Sequence, residues 1–249
     1  MKYELALLTF ISQDLHEYCE NFFKFYTGYH RIKNEDIYVL KENSEKSLDY
    51  CLDKYKPVIL DQQHKYTPHS NKRMMKYVEI EQVKLLKMYK NVLFVELDEM
   101  FLPEPTMYSN ILEYIEKRDF PEFVAPNGYE ILSDFQPKIN WSLPLLNQRI
   151  KMARLCGMDK PVLTKIPLHY TFGPHQVSKY SAFSCGSNTR YFRSDLFNIH
   201  LKCIDPTLYT NKTFKQDISK YSMETYIKKR CYRTQYKICD IPYSWKKIL

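Results

Sequence analysis

Over the first hundred positions, short apolar runs alternate with stripes of helical period. Residues 5–11 predict a first strand. Residues 14–26 follow as an amphipathic helix, with Leu15, Cys19, Phe22, Phe23 and Tyr26 on one face. A second strand is expected at 36–40. Ser44 then suits the cap of a helix running to about residue 55, with Leu48, Cys51 and Leu52 turned inward. Residues 57–60 form a short third strand, and 61–69 are polar, hold Pro68 and predict a loop. Ser70 suits the cap of the longest helix, to about residue 89, with Met74, Met75, Val78, Val83, Leu86 and Tyr89 as its buried stripe. Residues 92–95 complete the series as an apolar strand. This order argues for an α/β fold with parallel strands and right-handed crossovers.

Beyond Pro103 the pattern loosens. Residues 106–118 read as a helix, 122–126 and 128–132 as two strands, and 143–156 as another helix. Pro121, Pro126, Pro137 and Pro144 argue against long elements here. Residues 157–200 mix short strands and loops and carry His169, His175 and His200; residues 212–230 predict a helix. With no repeat or low-complexity linker, the chain reads as one domain. Its first half, 1–103, suits nucleotide binding, and 104–249 is a mixed half.

The most informative stretch is Val-Leu-Phe-Val-Glu-Leu-Asp-Glu-Met-Phe-Leu-Pro at 92–103. A short apolar run of this kind suits a strand covered on both faces. Ligands of such sheets bind at the carboxyl ends of the strands, where Glu96, Asp98 and Glu99 fall. In an extended segment Glu96 and Asp98 leave the same face. Two carboxylates so placed suit a divalent cation, which in turn holds a diphosphate.

Composition sharpens this picture. The 249 residues are 44% hydrophobic, enough for a substantial core. Only 5 are glycine, and no G-x-G-x-x-G or G-x-x-x-x-G-K-[ST] occurs, so a bound nucleotide needs another means of neutralising its phosphates. The net charge of +8 suits an anionic ligand, a membrane surface or nucleic acid. Seven cysteines without a C-x-x-C pair point to free thiols in a reducing compartment. The apolar run at 5–11 is too short for a membrane span and lacks a cleavage site, so a soluble cytoplasmic protein without a transmembrane segment is expected.

The acidic motif Glu96-Leu97-Asp98-Glu99-Met100-Phe101, with Gln82, Leu85, Leu86 and Tyr89 upstream, resembles glycosyltransferases of the GT-A fold. The similarity is to the branch related to family 2, whose motif reads Asp-hydrophobic-Asp-Glu-hydrophobic. Later stretches are similar in order: 124–130, 146–149, 159–162, 172–175 and 200–202. The resemblance covers roughly residues 70–205. It implies a Rossmann-like α/β fold with a mixed, mainly parallel central sheet flanked by helices. The activity it implies is metal-dependent, inverting transfer of a sugar from a nucleoside diphosphate sugar to an acceptor hydroxyl on a glycan.

The same resemblance assigns roles. Asp98 is the first metal ligand, with Glu96 beside it; His200 and then His175 are candidates for a late ligand, and an imidazole favours Mn²⁺ over Mg²⁺. Glu96 departs from the family's Asp by one methylene, which moves the carboxylate by about an ångström. Thr9, Phe10 and Asn43, with Glu96, Leu97 and Asp98, would meet the nucleotide. Glu130 is the expected base and Asp134 the alternative. Lys160, Arg149 and Lys202 are candidates for phosphate contacts, and Trp141, Phe172 and Tyr170 for stacking on a sugar.

Two other classes share parts of the pattern. Haloacid dehalogenase-type phosphatases end an apolar strand in Asp-x-Asp, but near the amino terminus and with Asp as the first acid. A basic, aromatic-rich chain also suits single-stranded nucleic acid, yet no recognition motif occurs and the aromatics fall at core-like positions, so no nucleic-acid partner is expected.

Overall fold

The computed structural model describes residues 2–11, 16–41, 49–60, 71–133, 138–171, 173–178, 180–182, 190–202, 204–205, 236–246 and 248. Asn43, Asp134 and Phe172 lie outside them. So do Ser44, Ser70, the loop at 61–69 and the helix expected at 212–230.

The first half follows the predicted order. Strand β1 (Tyr3–Ile11) leads to α1 (His16–Phe23), which continues as a π-helical turn, Lys24–Tyr29. Then come β2 (Ile37–Lys41), α2 (Asp49–Tyr55), β3 (Val58–Leu60), α3 (Asn71–Met88) and β4 (Tyr89–Phe94). These four strands pair in parallel in the spatial order β3-β2-β1-β4. Alternation along β1 explains why the sheet needs cover on both faces. Leu7 and Ile11 join Leu93, Val95 and the α1 side chains Cys19, Phe22 and Phe23 in one core. Ala6 and Leu8 join Val92, Phe94 and the α3 side chains Met75, Val78, Leu85 and Leu86 in the other. Each such fully buried large side chain contributes roughly 1.5–3 kcal/mol.

The second half extends the sheet. Its elements are β5 (Glu99–Pro103), α4 (Ile111–Lys117), β6 (Phe123–Ile131), β7 (Lys151–Leu155), β8 (Leu163–Thr164), β9 (Gln176–Val177), β10 (Tyr180–Ser181), β11 (Phe192–His200), β12 (Tyr236–Asp240) and α5 (Tyr243–Lys246). The sheet runs β12-β7-β6-β8-β4-β1-β2-β3, with β11 along β6 and β5 along β11. β6 and β11 are parallel, and the remaining pairs of this half are antiparallel. The architecture is α/β, a mixed central sheet flanked by helices. Among the described residues, no helix is long and apolar enough to cross a membrane.

Several expectations need correction. Val83 is 43% exposed, and Gln82 and Leu85 take the inward positions on α3. The Gln82 amide is buried without penalty because it accepts from the Leu168 N–H and donates to the Tyr170 hydroxyl. The helix at 106–118 shortens to α4, since the Asn110 side chain caps it by accepting from the Glu113 N–H. The strands at 122–126 and 128–132 are one strand, β6. Pro126 is tolerated inside it because the register with β11 shifts between Arg193 and Phe197. The helix expected at 143–156 is a 3₁₀ turn (Leu145–Gln148) followed by β7. Pairing with β6 and β12 overrides the helix propensity of Met152, Ala153, Arg154 and Leu155. β11, nine residues long, replaces short strands in its stretch.

The largest correction concerns the acidic motif. Glu96 and Asp98 are not on an extended segment. Leu97 and Asp98 form a turn closed by the Glu99 N–H bonding to the Glu96 carbonyl at 3.0 Å, and Glu99 opens β5. β5 pairs with β11. The Tyr26 hydroxyl donates to the Glu99 carbonyl and accepts from the Phe101 N–H, so these buried polar groups are satisfied from α1's side as well.

Gly128 on β6 allows the 3₁₀ turn Cys156–Met158 to lie directly on the strand, since a Cβ there would collide with the Cβ and backbone of Met158. Gly128→Ala should destabilise the protein by about 1–3 kcal/mol through overpacking. Chemical denaturation measures this, and stability equal to wild type would mean that the turn does not rest on β6.

Candidate functional site

The strand order determines where the site lies. The chain moves outward from β1 to β2 and β3, then crosses by α3 to β4 on the other side of β1. Ligands of open α/β sheets bind where the order reverses in this way, beyond the carboxyl ends of the strands. Here that point is the junction of β1 and β4. Leu8 is in register with Phe94, and the Val95 N–H bonds to the Leu8 carbonyl, so Thr9 and Phe10 end beside Glu96. Thr9 is fully buried, and its hydroxyl has no hydrogen-bond partner among the described residues. Phe10 packs half-buried against the α3-side core.

The β4–β5 turn carries the acids, and β11 closes over it. In the strand register His200 stands opposite Glu99 on one side and Glu130 on the other. This row places three titratable side chains together although they are far apart in sequence. His200 Nδ1 donates to Glu130 at 2.6 Å, and Nε2 faces the Asp98 carboxylate at 3.3 Å. The Leu201 N–H bonds to the Asp98 carbonyl, which pins the turn to the end of β11. Glu99 accepts from the Glu96 N–H, from the Asn198 amide and from Lys160. Lys160 also forms an ion pair with Glu96. The Lys160 side chain is 2% exposed, while Glu96 reaches solvent at 28%.

Burial and partners oppose each other throughout this cluster. Burial pushes the Glu96 carboxyl up, but the neighbouring Lys160 outweighs it, and the net shift is downward. Asp98 follows the same logic: burial raises it, the His200 ring lowers it, and it ends at about 2. Burial lowers His200, yet Glu130 and Asp98 raise it to about 10. The ring is therefore an imidazolium at neutral pH. Burial also lowers Lys160, but Glu96 and Glu99 outweigh it and hold the ammonium charged. His175 moves the other way, to about 4, through burial and then Lys160. Its Nδ1 donates to the Gly157 carbonyl, so in the neutral ring the lone pair is on Nε2.

The structure thus brings Glu96, Asp98, Glu130, His175 and His200 into one neighbourhood, with Lys202 close enough to act on Asp98. Other candidates point elsewhere. The Leu97 side chain is buried in the core. Arg149 is buried against the Ile204 and Gln148 carbonyls, so it does not present a guanidinium to phosphate. Tyr170 is buried with its hydroxyl on Gln82, and Trp141 packs edge-on against Tyr18.

As arranged, these side chains do not fit Mn²⁺ or Mg²⁺. Lys160 is in place between Glu96 and Glu99, and both His200 nitrogens face carboxylates, which leaves the His200 ring no lone pair for a metal. Among the described residues, no group of three or more His, Cys, Asp or Glu side chains is placed to hold a metal. Sequence reasoning named Lys160 and Glu96 separately and missed their charge pairing. It also missed Asn198 and the structural part played by Glu99. These contacts join positions 61 to 99 residues apart, and no local spacing signals them.

Because the folded-state pKa of His200 lies above its unfolded value of 6.5, the folded state holds the extra proton between 6.5 and about 10. The stability it contributes is fully present below pH 6.5 and lost as pH rises through about 10. The stability difference between wild type and His200→Gln, followed by denaturation from pH 6 to 10.5, should shrink across that window. A constant difference would show that the ring is not protonated in the fold. Compared with known proteins, the chain matches no family model and no curated protein, so the reading of this site rests on its own residues and their arrangement.

Proposed function

We propose that this protein is a nucleoside diphosphate sugar-dependent glycosyltransferase of the GT-A type, acting on a glycan hydroxyl. One observation carries the reading: a buried cluster of acids and fixed cations stands where the strand order reverses at the ends of β1 and β4. The motif that forms the cluster, Glu96-Leu97-Asp98-Glu99, is the stretch that resembles the family.

In this reading the nucleotide lies across the ends of β1 and β4, near Thr9 and Phe10, with its diphosphate over the β4–β5 turn. Breaking the glycosidic bond develops negative charge on the leaving diphosphate. Lys160 and the His200 imidazolium are already charged and already oriented, so they offset without reorganising the repulsion that the four carboxylates would exert on that charge. Lys202 adds a third, partly exposed cation. Asp98 and Glu130 hold the imidazolium in place from its two sides. Glu130, expected as the base, serves here to orient His200. Inversion requires the acceptor to attack from the face opposite the leaving group while a carboxylate takes its proton.

Thermal shift with UDP, GDP, CDP and their sugars tests the reading. One base should be preferred. At a ligand concentration of 100 Kd the stabilisation is about 2.7 kcal/mol, which raises the Tm of a chain this size by about 5–10 °C. The matching nucleotide sugar should release its diphosphate in the presence of a glycan acceptor. No shift with any nucleotide removes the proposal. Turnover of a chromogenic phosphate ester would favour a phosphatase, and salt-sensitive oligonucleotide binding a nucleic-acid partner.

A further inference from the structure

Fixed positive charge beside the acids has a consequence for metals. Lys160 is delivered by a constrained segment. The turn Cys156–Met158 lies on Gly128, where there is no room for a Cβ. Asp159 accepts from the Gly128 N–H at 2.7 Å and from Arg154 at 2.7 Å. The Lys160 N–H bonds back to the Met158 carbonyl. The backbone leading into Lys160 is therefore held, and its ammonium ends between the carboxylates of Glu96 and Glu99. The third acid of the motif, Asp98, faces the His200 ring, whose other nitrogen is on Glu130. Every carboxylate of the β4–β5 turn already has a cation. A divalent ion entering this corner would have to displace the ammonium from between Glu96 and Glu99, or the imidazolium from Asp98.

We propose that Lys160 is the resident cation of this corner, and that the protein binds the diphosphate of its ligand without a divalent metal ion. The identity of that ligand rests on the glycosyltransferase reading; the part played by Lys160 does not. The ammonium does here what a metal bridging the acids would do. It holds Glu96 and Glu99 together against their mutual repulsion and offsets part of the negative charge that a diphosphate would otherwise meet there. Unlike a metal, it cannot dissociate or be chelated.

Two titrations test this. In the first, MnCl₂ is added to wild type, Lys160→Met and Lys160→Arg, with unbound Mn²⁺ counted by paramagnetic resonance. Wild type and Lys160→Arg should bind no Mn²⁺ in the millimolar range. Lys160→Met frees Glu96 and Glu99 beside Asp98 and should bind at least ~10-fold tighter, a difference of about 1.4 kcal/mol. Adding Asp98→Asn to Lys160→Met should abolish that gain. In the second, UDP, GDP and CDP are each titrated into wild type in EDTA and in MnCl₂, and the preferred nucleotide should bind equally in both. Binding of Mn²⁺ by wild type as tightly as by Lys160→Met would overturn the proposal, as would nucleotide binding that EDTA abolishes. Should Lys160→Met fail to fold, wild type and Lys160→Arg still decide the matter. If no nucleotide binds in either buffer, the glycosyltransferase reading falls, while the Mn²⁺ titration alone still decides the part played by Lys160.

Discussion

Neutralising buried carboxylates is the constraint on which this structure depends. Asp98, Glu99 and Glu130 are buried around one turn, with Glu96 at their edge. Carboxylates so crowded would repel one another and lose their hydration, and neither cost is tolerable without a counter-charge. Lys160 supplies it for Glu96 and Glu99, and His200 for Asp98 and Glu130. Removing one member of a buried ion pair typically costs about 3–5 kcal/mol, because the partner is left charged and alone. The cluster is thus a joint as well as a site, tying the β4–β5 turn to β6, to β11 and to the segment after β7.

Much of the second half makes sense as the means of bringing those cations in. β11 lies between β5 and β6, so one residue, His200, faces an acid on each neighbouring strand. The bulge between Arg193 and Phe197 sets this register and accommodates Pro126 on the facing strand. Gly128 lets the turn that carries Lys160 settle onto β6. Asn198, one row before His200, places its amide on Glu99. The opposing burial and charge effects leave Asp98 well below the usual carboxylate range and His200 well above the usual imidazole range. The interior therefore presents fixed charges at neutral pH rather than groups ready to exchange protons.

Legibility in the sequence follows the range of the interactions. β1, β2 and β4 and the helices between them were readable because each buries its own apolar run and burial leaves a periodic trace, whereas β3 showed the same apolar signal although Val58 and Ile59 stay exposed at the sheet edge. The stripe on α3 failed at Tyr89, which opens β4, and at Val83, where the inward position belongs to the polar Gln82, whose amide has partners that no periodicity announces. β7 failed as an expectation because Met152, Ala153, Arg154 and Leu155 favour a helix in isolation and become a strand only between β6 and β12. β5 went unread because its apolar residues looked like the tail of an acidic motif, and the turn at Leu97 and Asp98 has no glycine or proline to mark it.

By itself, the sequence determined an α/β chain with alternating strands and helices in its first hundred residues. It also determined a cluster of acids at the end of the fourth strand, and its few glycines excluded the glycine-rich phosphate loops. These are local properties, written in runs, spacings and the absence of a motif. Only the tertiary structure decided the charge state and company of those acids. Lys160 lies 64 residues from Glu96, and Glu130 lies 70 from His200, so their pairing depends on strand register and on a close approach at Gly128. Charge compensation acts through space, and a linear pattern carries no record of which distant cation the fold will bring to a given carboxylate.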